Sequence, residues 1–238
     1  MSDTHAHPKI EVFQSAGALA LGAAAVVAEA LSRRLGDGSG RARFMATGGS
    51  TPVACYEALS DWPLDWSRVD VALTDDRFVP PSSRDSNEGL VRKHLLRGPA
   101  AAASFTPLWS DAASPEDAAA RAEPSIRALL PMDAVVLGVG EDGHIASLFP
   151  HSPELAEGLD PRSPRLVIGV PKAGLPPWAP RISLTLAALL NARLIVVLIA
   201  GEAKKQAVEA ALAGADLPVR AVLAQSHTPV RILWAQSS

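Results

Sequence analysis

The sequence predicts an α/β protein with a mostly parallel sheet covered by helices on both faces. Three observations predict it. Short apolar runs of strand length recur along the whole chain and alternate with segments of helical character. Several of these runs, such as DAVVL (133–137) and LIVVLIA (194–200), are almost continuously apolar, as strands buried on both sides are. The glycines, acids and arginines with chemical potential fall just after the runs, where open α/β sheets hold their ligands.

In chain order, Ile10, Val12 and Phe13 predict a first strand over 9–13, and the Ala-rich run behind it predicts a helix over 16–35. A strand at 43–46 ends in TGGSTP, where Ser50 or Thr51 can cap a helix over 52–60 and Pro52 suits its first turn. A strand at 70–73, a helix over 87–95 and a helix over 115–130 follow. Next come strands at 134–137 and 166–170, then a helix over 183–191. A strand at 194–199, a helix over 203–213 and a last strand at 230–234 complete the alternation. The Pro-rich pieces at 161–164 and 171–180 are expected to be long loops over a single domain spanning 1–238.

The 238 residues carry a formal net charge of −3, which gives no overall field to attract nucleic acid or an anionic membrane. Basic pairs such as Arg33/Arg34 and Lys204/Lys205 suit solvated helix faces. The single cysteine, Cys55, excludes an intrachain disulfide framework and a cysteine metal cluster, and reads as a small buried side chain. No apolar stretch is expected to span a bilayer. AGALALGAAAVVA (16–28) looks like the core of a signal peptide, but only Lys9 is basic before it, and Asp3 and Glu11 oppose that charge. A cytoplasmic chain is the expectation.

Four strand ends carry the candidate chemistry. TGGST (47–51) offers free N–H groups at the start of a helix, which suits either a phosphate or a plainly capped turn. TDDRFVPPSSRDSN (74–87) puts two acids beside Arg77, which could clamp an anion or pair with Asp75 or Asp76. GVGEDGHIASLFP (138–150) has the G-x-G-x-x-G spacing of a dinucleotide loop. Glu141 and Asp142 would repel a pyrophosphate, however, Pro150 and Pro153 cut short the helix it requires, and no acid closes a second strand about 20 residues on. What remains is Asp142-Gly143-His144 on a turn, with a histidine whose usual pKa near 6.5 suits a general base. Late in the chain, Arg181 and Lys204 could be surface charges, or could join Arg77 around one phosphate.

Taken together, GGSTP, TDDRFVP with a later SN, LGVGEDGHIASLFP, PRISLTLAALLNAR and GEAKK resemble the 6-phosphogluconolactonases over nearly the whole chain and in the same order. The resemblance implies a modified Rossmann-like, three-layer α/β/α domain. It also implies hydrolysis of 6-phosphogluconolactone in the oxidative pentose phosphate pathway, with no cofactor and no metal. Carried over position by position, His144 would be the general base with Asp142 beside it. Gly48, Gly49, Ser50, Thr51, Asp75, Arg77, Arg181 and Lys204 would bind the sugar phosphate. The partner expected is a sugar-phosphate lactone, with no nucleic acid and no membrane, for a monomer or homodimer. Two departures stand out: Asp76 replaces the usual Glu, and His151 follows SLFP where glycine is common. His151 reads as a loop residue.

Two alternatives accompany this reading. Glucosamine-6-phosphate deaminases share DGHIA but typically continue FNEP, where this chain has Ser147, Leu148 and Phe149 before Pro150, and they carry an aromatic near the position of Arg77. A non-catalytic sugar-phosphate sensor would need a DNA-binding segment ahead of the first strand, for which residues before Lys9 are too few.

Overall fold

The computed structural model describes residues 8–236 apart from 37, 39 and 175. Asp3 and Leu175, which entered the reading of the N-terminal run and the Pro-rich 171–180 stretch, lie outside the described residues. The elements begin β1 (Ile10–Phe13), α1 (Ala16–Gly36), β2 (Ala42–Ala46), α2 (Thr51–Ser60), β3 (Val69–Leu73), β4 (Asp75–Arg77) and α3 (Asn87–His94). They continue β5 (Ser104–Phe105), α4 (Pro115–Ala128), β6 (Ala134–Leu137), α5 (Leu155–Gly158) and β7 (Val167–Ala173). The chain then forms β8 (Ala179–Leu184), α6 (Leu186–Leu189), β9 (Ile195–Ala200), α7 (Glu202–Leu212), α8 (Arg220–Leu223) and β10 (Val230–Ala235).

Seven strands form one sheet in the order β1-β10-β9-β6-β2-β3-β5, and every pairing in it is parallel. The continuous apolar runs explain the arrangement: all four residues of β6 and the first five of β9 are buried. From β2 the chain winds outward through β3 and β5, then returns to lay β6 on the other side of β2. This reversal is the switch point at which α/β sheets open a crevice beyond their strand ends. The architecture is a three-layer α/β/α fold.

Helix α1 packs on α2 and on the sheet, and buries Leu19, Ala23, Ala24, Val27 and Leu31 against it. Its 21 residues are long and apolar enough to cross a membrane by length and composition, which corrects the expectation that no stretch would be. In this fold its apolar side is the packing face of a core helix.

Three expectations change at the second sheet. Residues 166–170 were expected within the parallel sheet. Instead β7 pairs antiparallel with β8, and β8 with β4, in a separate three-stranded sheet. The expected helix over 183–191 starts too early. Ser183 and Leu184 end β8, and Thr185 then caps the short α6, its Oγ1 accepting from the Ala188 N–H at 3.4 Å. The 171–180 stretch is likewise no simple loop, because its ends are the paired Ala173 and Ala179 of a hairpin. One hydrophobic cluster contains Ile168, Val170 and Ile182 of the small sheet together with Val135 and Val197 of the large one.

Candidate active site

The cleft opens at the switch point between β2 and β6 and encloses about 170 Å³. Its walls come from the ends of four strands. Thr47, Gly48 and Gly49 follow β2, Asp75 and Arg77 lie on β4 just beyond β3, and Gly138 to Gly140 with His144 follow β6. Lys204 stands in the first turn of α7 after β9, and Arg181 reaches in from β8.

His144 is held by its near neighbour. Asp142 Oδ1 lies 2.6 Å from His144 Nδ1 and also accepts from the His144 backbone N–H at 3.2 Å. A carboxylate at that distance keeps the proton on Nδ1 and leaves the Nε2 lone pair as the basic site. The turn closes on itself through Gly140 N–H to His144 O and Gly143 N–H to Gly140 O, both 2.9 Å. Gly140 has to be glycine, since a Cβ there would collide with His144 Nδ1 and Asp142 Oδ1. The glycines thus serve the Asp–His pair, and the segment that follows is turns and an isolated Ile145–Leu148 bridge with no helix until Leu155.

The TGG turn is fixed from below. The Tyr56 hydroxyl, fully buried, donates to Thr47 O at 2.7 Å and accepts from Thr47 N–H at 2.8 Å. Burial drives the Tyr56 pKa well above the ordinary tyrosine value, so the hydroxyl keeps its proton. Gly48 lies against Asn87, whose amide would be struck by any Cβ at that position. Asn87 also accepts from Arg77 Nη1 at 2.7 Å and donates to Asp75 O at 2.8 Å. One side chain therefore sets the spacing between turn, arginine and β4.

Arg77 makes a second bond to Asp85 O at 3.1 Å, so its charge is met by neutral acceptors. The local ion pair weighed for Arg77 belongs instead to Arg181, whose Nη1 lies 3.8 Å from Asp75 Oδ2. Arg181 Nε is buried and makes no hydrogen bond. Burial pulls the Arg181 pKa below the usual arginine value, with Asp75 opposing that pull and Arg77 adding to it. Asp75 is itself fixed by Ser147 Oγ, which donates to Oδ2 at 2.6 Å. Among the ionic side chains lining the cleft, Arg77, Arg181 and Lys204 face one carboxylate, Asp75.

Asp76 points away from the cleft. Its carboxylate accepts from the N–H groups of Arg77, Asn87 and Glu88 and from Ser86 Oγ, over 2.6–3.2 Å, and so anchors the start of α3. Burial outweighs those bonds and pushes its pKa up to about 6.

Of the residues expected at the site, Gly48, Gly49, Asp75, Arg77, His144, Arg181 and Lys204 line the cleft, and Asp142 supports it through His144. Ser50 and Thr51 sit at the start of α2 without lining it, and Ser50 makes no side-chain cap, contrary to the expected role. His151 is exposed and stands outside the cleft. Cys55 is buried on α2, where burial raises its thiol to about 12. Sequence reasoning missed Thr47, Tyr56 and Asn87 as parts of the site. The signal for Asn87 was the SN pair at a helix start; Tyr56 gave none. Among the described residues, no group of three or more His, Cys, Asp or Glu side chains is placed to hold a metal ion.

Known proteins resemble this chain over most of its length. A 6-phosphogluconolactonase of Caulobacter vibrioides is 47% identical over 228 residues, covering 96% of this chain and 97% of its own. One from Pseudomonas aeruginosa is 47% identical over 89% and 90% of the two chains. The crystal structure of a 6-phosphogluconolactonase from Shewanella baltica superposes with a TM-score of 0.90 at 36% identity, covering 96% and 97%. The family described as glucosamine-6-phosphate isomerases/6-phosphogluconolactonase matches residues 14–234, and the chain belongs to it.

Proposed function

We propose that this chain is a 6-phosphogluconolactonase that opens 6-phospho-D-glucono-1,5-lactone to 6-phosphogluconate, with His144 as general base. The observation that carries the reading is the pairing of two features in one cleft. A histidine with its Nδ1 engaged by Asp142 faces three cations opposed by one carboxylate. A δ-lactone phosphate needs both, a base for water and a cationic seat for the phosphate.

In the proposed reaction, His144 Nε2 removes a proton from water as its oxygen bonds to the lactone carbonyl carbon. The tetrahedral intermediate then collapses, the bond from that carbon to the ring oxygen breaks, and the imidazolium returns the proton to the departing oxygen. Asp142 holds the tautomer and offsets the imidazolium charge during the step. Arg77, Arg181 and Lys204 grip the phosphate, which is remote from the reacting carbon, and so orient the carbonyl toward the base. Arginine suits this task because its planar fork matches phosphate oxygens.

The test is hydrolysis of freshly generated 6-phosphogluconolactone, corrected for its spontaneous rate, with unphosphorylated gluconolactone as control. The expected result is strong preference for the phosphorylated lactone. Equal rates on both would remove the cationic seat from the reading, and no rate above background on either would remove the activity.

A further inference from the structure

Behind the cleft, one aromatic ring touches two of its working groups. The Phe149 ring stacks on the His144 imidazole with centroids 4.1 Å apart and planes tilted by 32°. The Arg181 guanidinium carbon lies 5.3 Å from the centroid of the same ring. Phe149 does not line the cleft and is only 7% exposed, so it acts on any ligand through these neighbours.

The chain is bent to bring it there. Between His144 and Phe149 the backbone reverses, with Leu148 N–H donating to Ile145 O at 2.9 Å. Ala146, inside that reversal, has φ 48°, a left-handed conformation that a residue with a Cβ rarely adopts. Such strain persists where its surroundings over-determine it, and here it returns the Phe149 ring to the imidazole two residues before the strained position. The ring also approaches Gly174 of the β7–β8 hairpin, where a Cβ on that glycine would lie 3.7 Å from Phe149 Cε1.

Asp142 alone leaves the base under-restrained. Its bond fixes which ring nitrogen faces the carboxylate, but the terminal torsion of a histidine is broad, and one hydrogen bond at the ring edge does not fix the plane. A flat partner against the face does. The same ring presents its negative face to Arg181, whose buried Nε has no hydrogen bond to hold it, and to the imidazolium each time His144 takes a proton.

We propose that Phe149 is a positioning residue that sets the tilt of the His144 imidazole and the placement of Arg181 through one aromatic ring. The proposal deepens the lactonase reading and rests on it for its kinetic part. The comparison uses F149L, which keeps an apolar side chain and removes the flat face, and F149Y, which keeps the face. I126A, in a fully buried position on α4 outside the cleft, is the control for lost stability alone.

In F149L, kcat on the phosphorylated lactone is expected to fall about ten- to a hundredfold and KM to rise, while F149Y recovers most of kcat and I126A keeps it. The spectroscopic counterpart needs no activity. The His144 ring-proton resonances, shifted upfield by the stacked ring, move downfield in F149L and stay in place in F149Y. F149L with unchanged kcat and unchanged His144 resonances would overturn the proposal, as would an I126A loss of kcat equal to that of F149L. If the unaltered protein does not hydrolyse the lactone, the lactonase reading fails, and the His144 resonances still decide whether Phe149 orients the imidazole.

Discussion

Asp142 meets His144 twice through one oxygen, at the ring nitrogen Nδ1 and at the backbone N–H of the same residue. The double contact ties the Nδ1 edge of the imidazole to the turn that carries it, so the ring cannot swing off Asp142 without losing that bond, while the tilt of its plane is left to other neighbours. Replacing His144 with alanine should lower kcat by about a hundredfold or more, the usual contribution of a positioned proton-transfer group. D142N retains an oxygen that can accept from Nδ1 but loses the charge that supports imidazolium, and D142A loses both. Steady-state kinetics should therefore rank the losses H144A, D142A, D142N from largest to smallest. An H144A protein retaining most of its rate would remove the proposed base.

The cations should divide from the base in their kinetic effect. R77A and K204A remove charge from the cleft wall but leave the Asp142–His144 pair intact, so KM for the phosphorylated lactone should rise more than kcat falls. R77K should not rescue, because a lysine cannot reproduce the bonds to Asn87 Oδ1 and Asp85 O together with a forked grip on phosphate. Rates on unphosphorylated gluconolactone provide the check. If R77A lowers those rates as much as it lowers rates on the phosphate ester, Arg77 is not reading the phosphate.

The parallel sheet and the Asp142–His144 turn of the candidate site were legible because both are written locally. The β6 and β9 strands are near-continuous apolar runs, and the Asp142–His144 contact spans two residues of one turn. The small sheet was not legible because β4 is three charged residues, Asp75–Arg77, with no apolar alternation. Its identity as a strand comes from Arg77 pairing with Arg181, more than 100 positions later. The same distance explains the misplaced helix over 183–191. LTLAALL has helical composition, but Ser183 and Leu184 are claimed by pairing with β7, which no local pattern announces. Asn87 and Tyr56 escaped for a related reason, since each acts on a turn belonging to another element.

Tyr56 gives a separate test of the TGG turn. Its hydroxyl serves both polar groups of Thr47, which is 5% exposed and leaves them little access to water. Y56F keeps the ring and its edge-on contact with Phe44 but orphans a buried N–H and a buried carbonyl. The loss should be on the order of 2 kcal/mol or more in stability, read from denaturant unfolding, because each unsatisfied buried group costs about 1–3 kcal/mol. KM for the phosphorylated lactone should rise as well, since Gly48 and Gly49 follow directly from Thr47. Unchanged stability and unchanged KM together would mean that the turn holds its shape without the tyrosine.

Asp76 makes a prediction of unusual sign. Four donors reach its carboxylate, which by themselves would favour the charged form and lower its pKa. Among the described residues no cationic side chain bonds to it: the Arg77 guanidinium is turned to Asp85 O and Asn87, Arg181 acts on it only through space, and the neighbouring Asp75 adds repulsion. Burial is the larger effect, and the folded-state pKa is about 6 against an ordinary 3.8. The folded protein therefore binds this proton more tightly than the unfolded chain, so Asp76 lowers stability as pH rises through that window and does so fully above about 6. Two pKa units correspond to roughly 3 kcal/mol. D76N cannot titrate, and although it loses part of the anchor of α3 at every pH, that loss is constant. The stability of the unaltered protein relative to D76N, measured by urea unfolding from pH 7 to pH 4, should thus increase on acidification. A difference that shrinks toward acid would mean that the four hydrogen bonds outweigh burial and that Asp76 is a charged anchor of the helix.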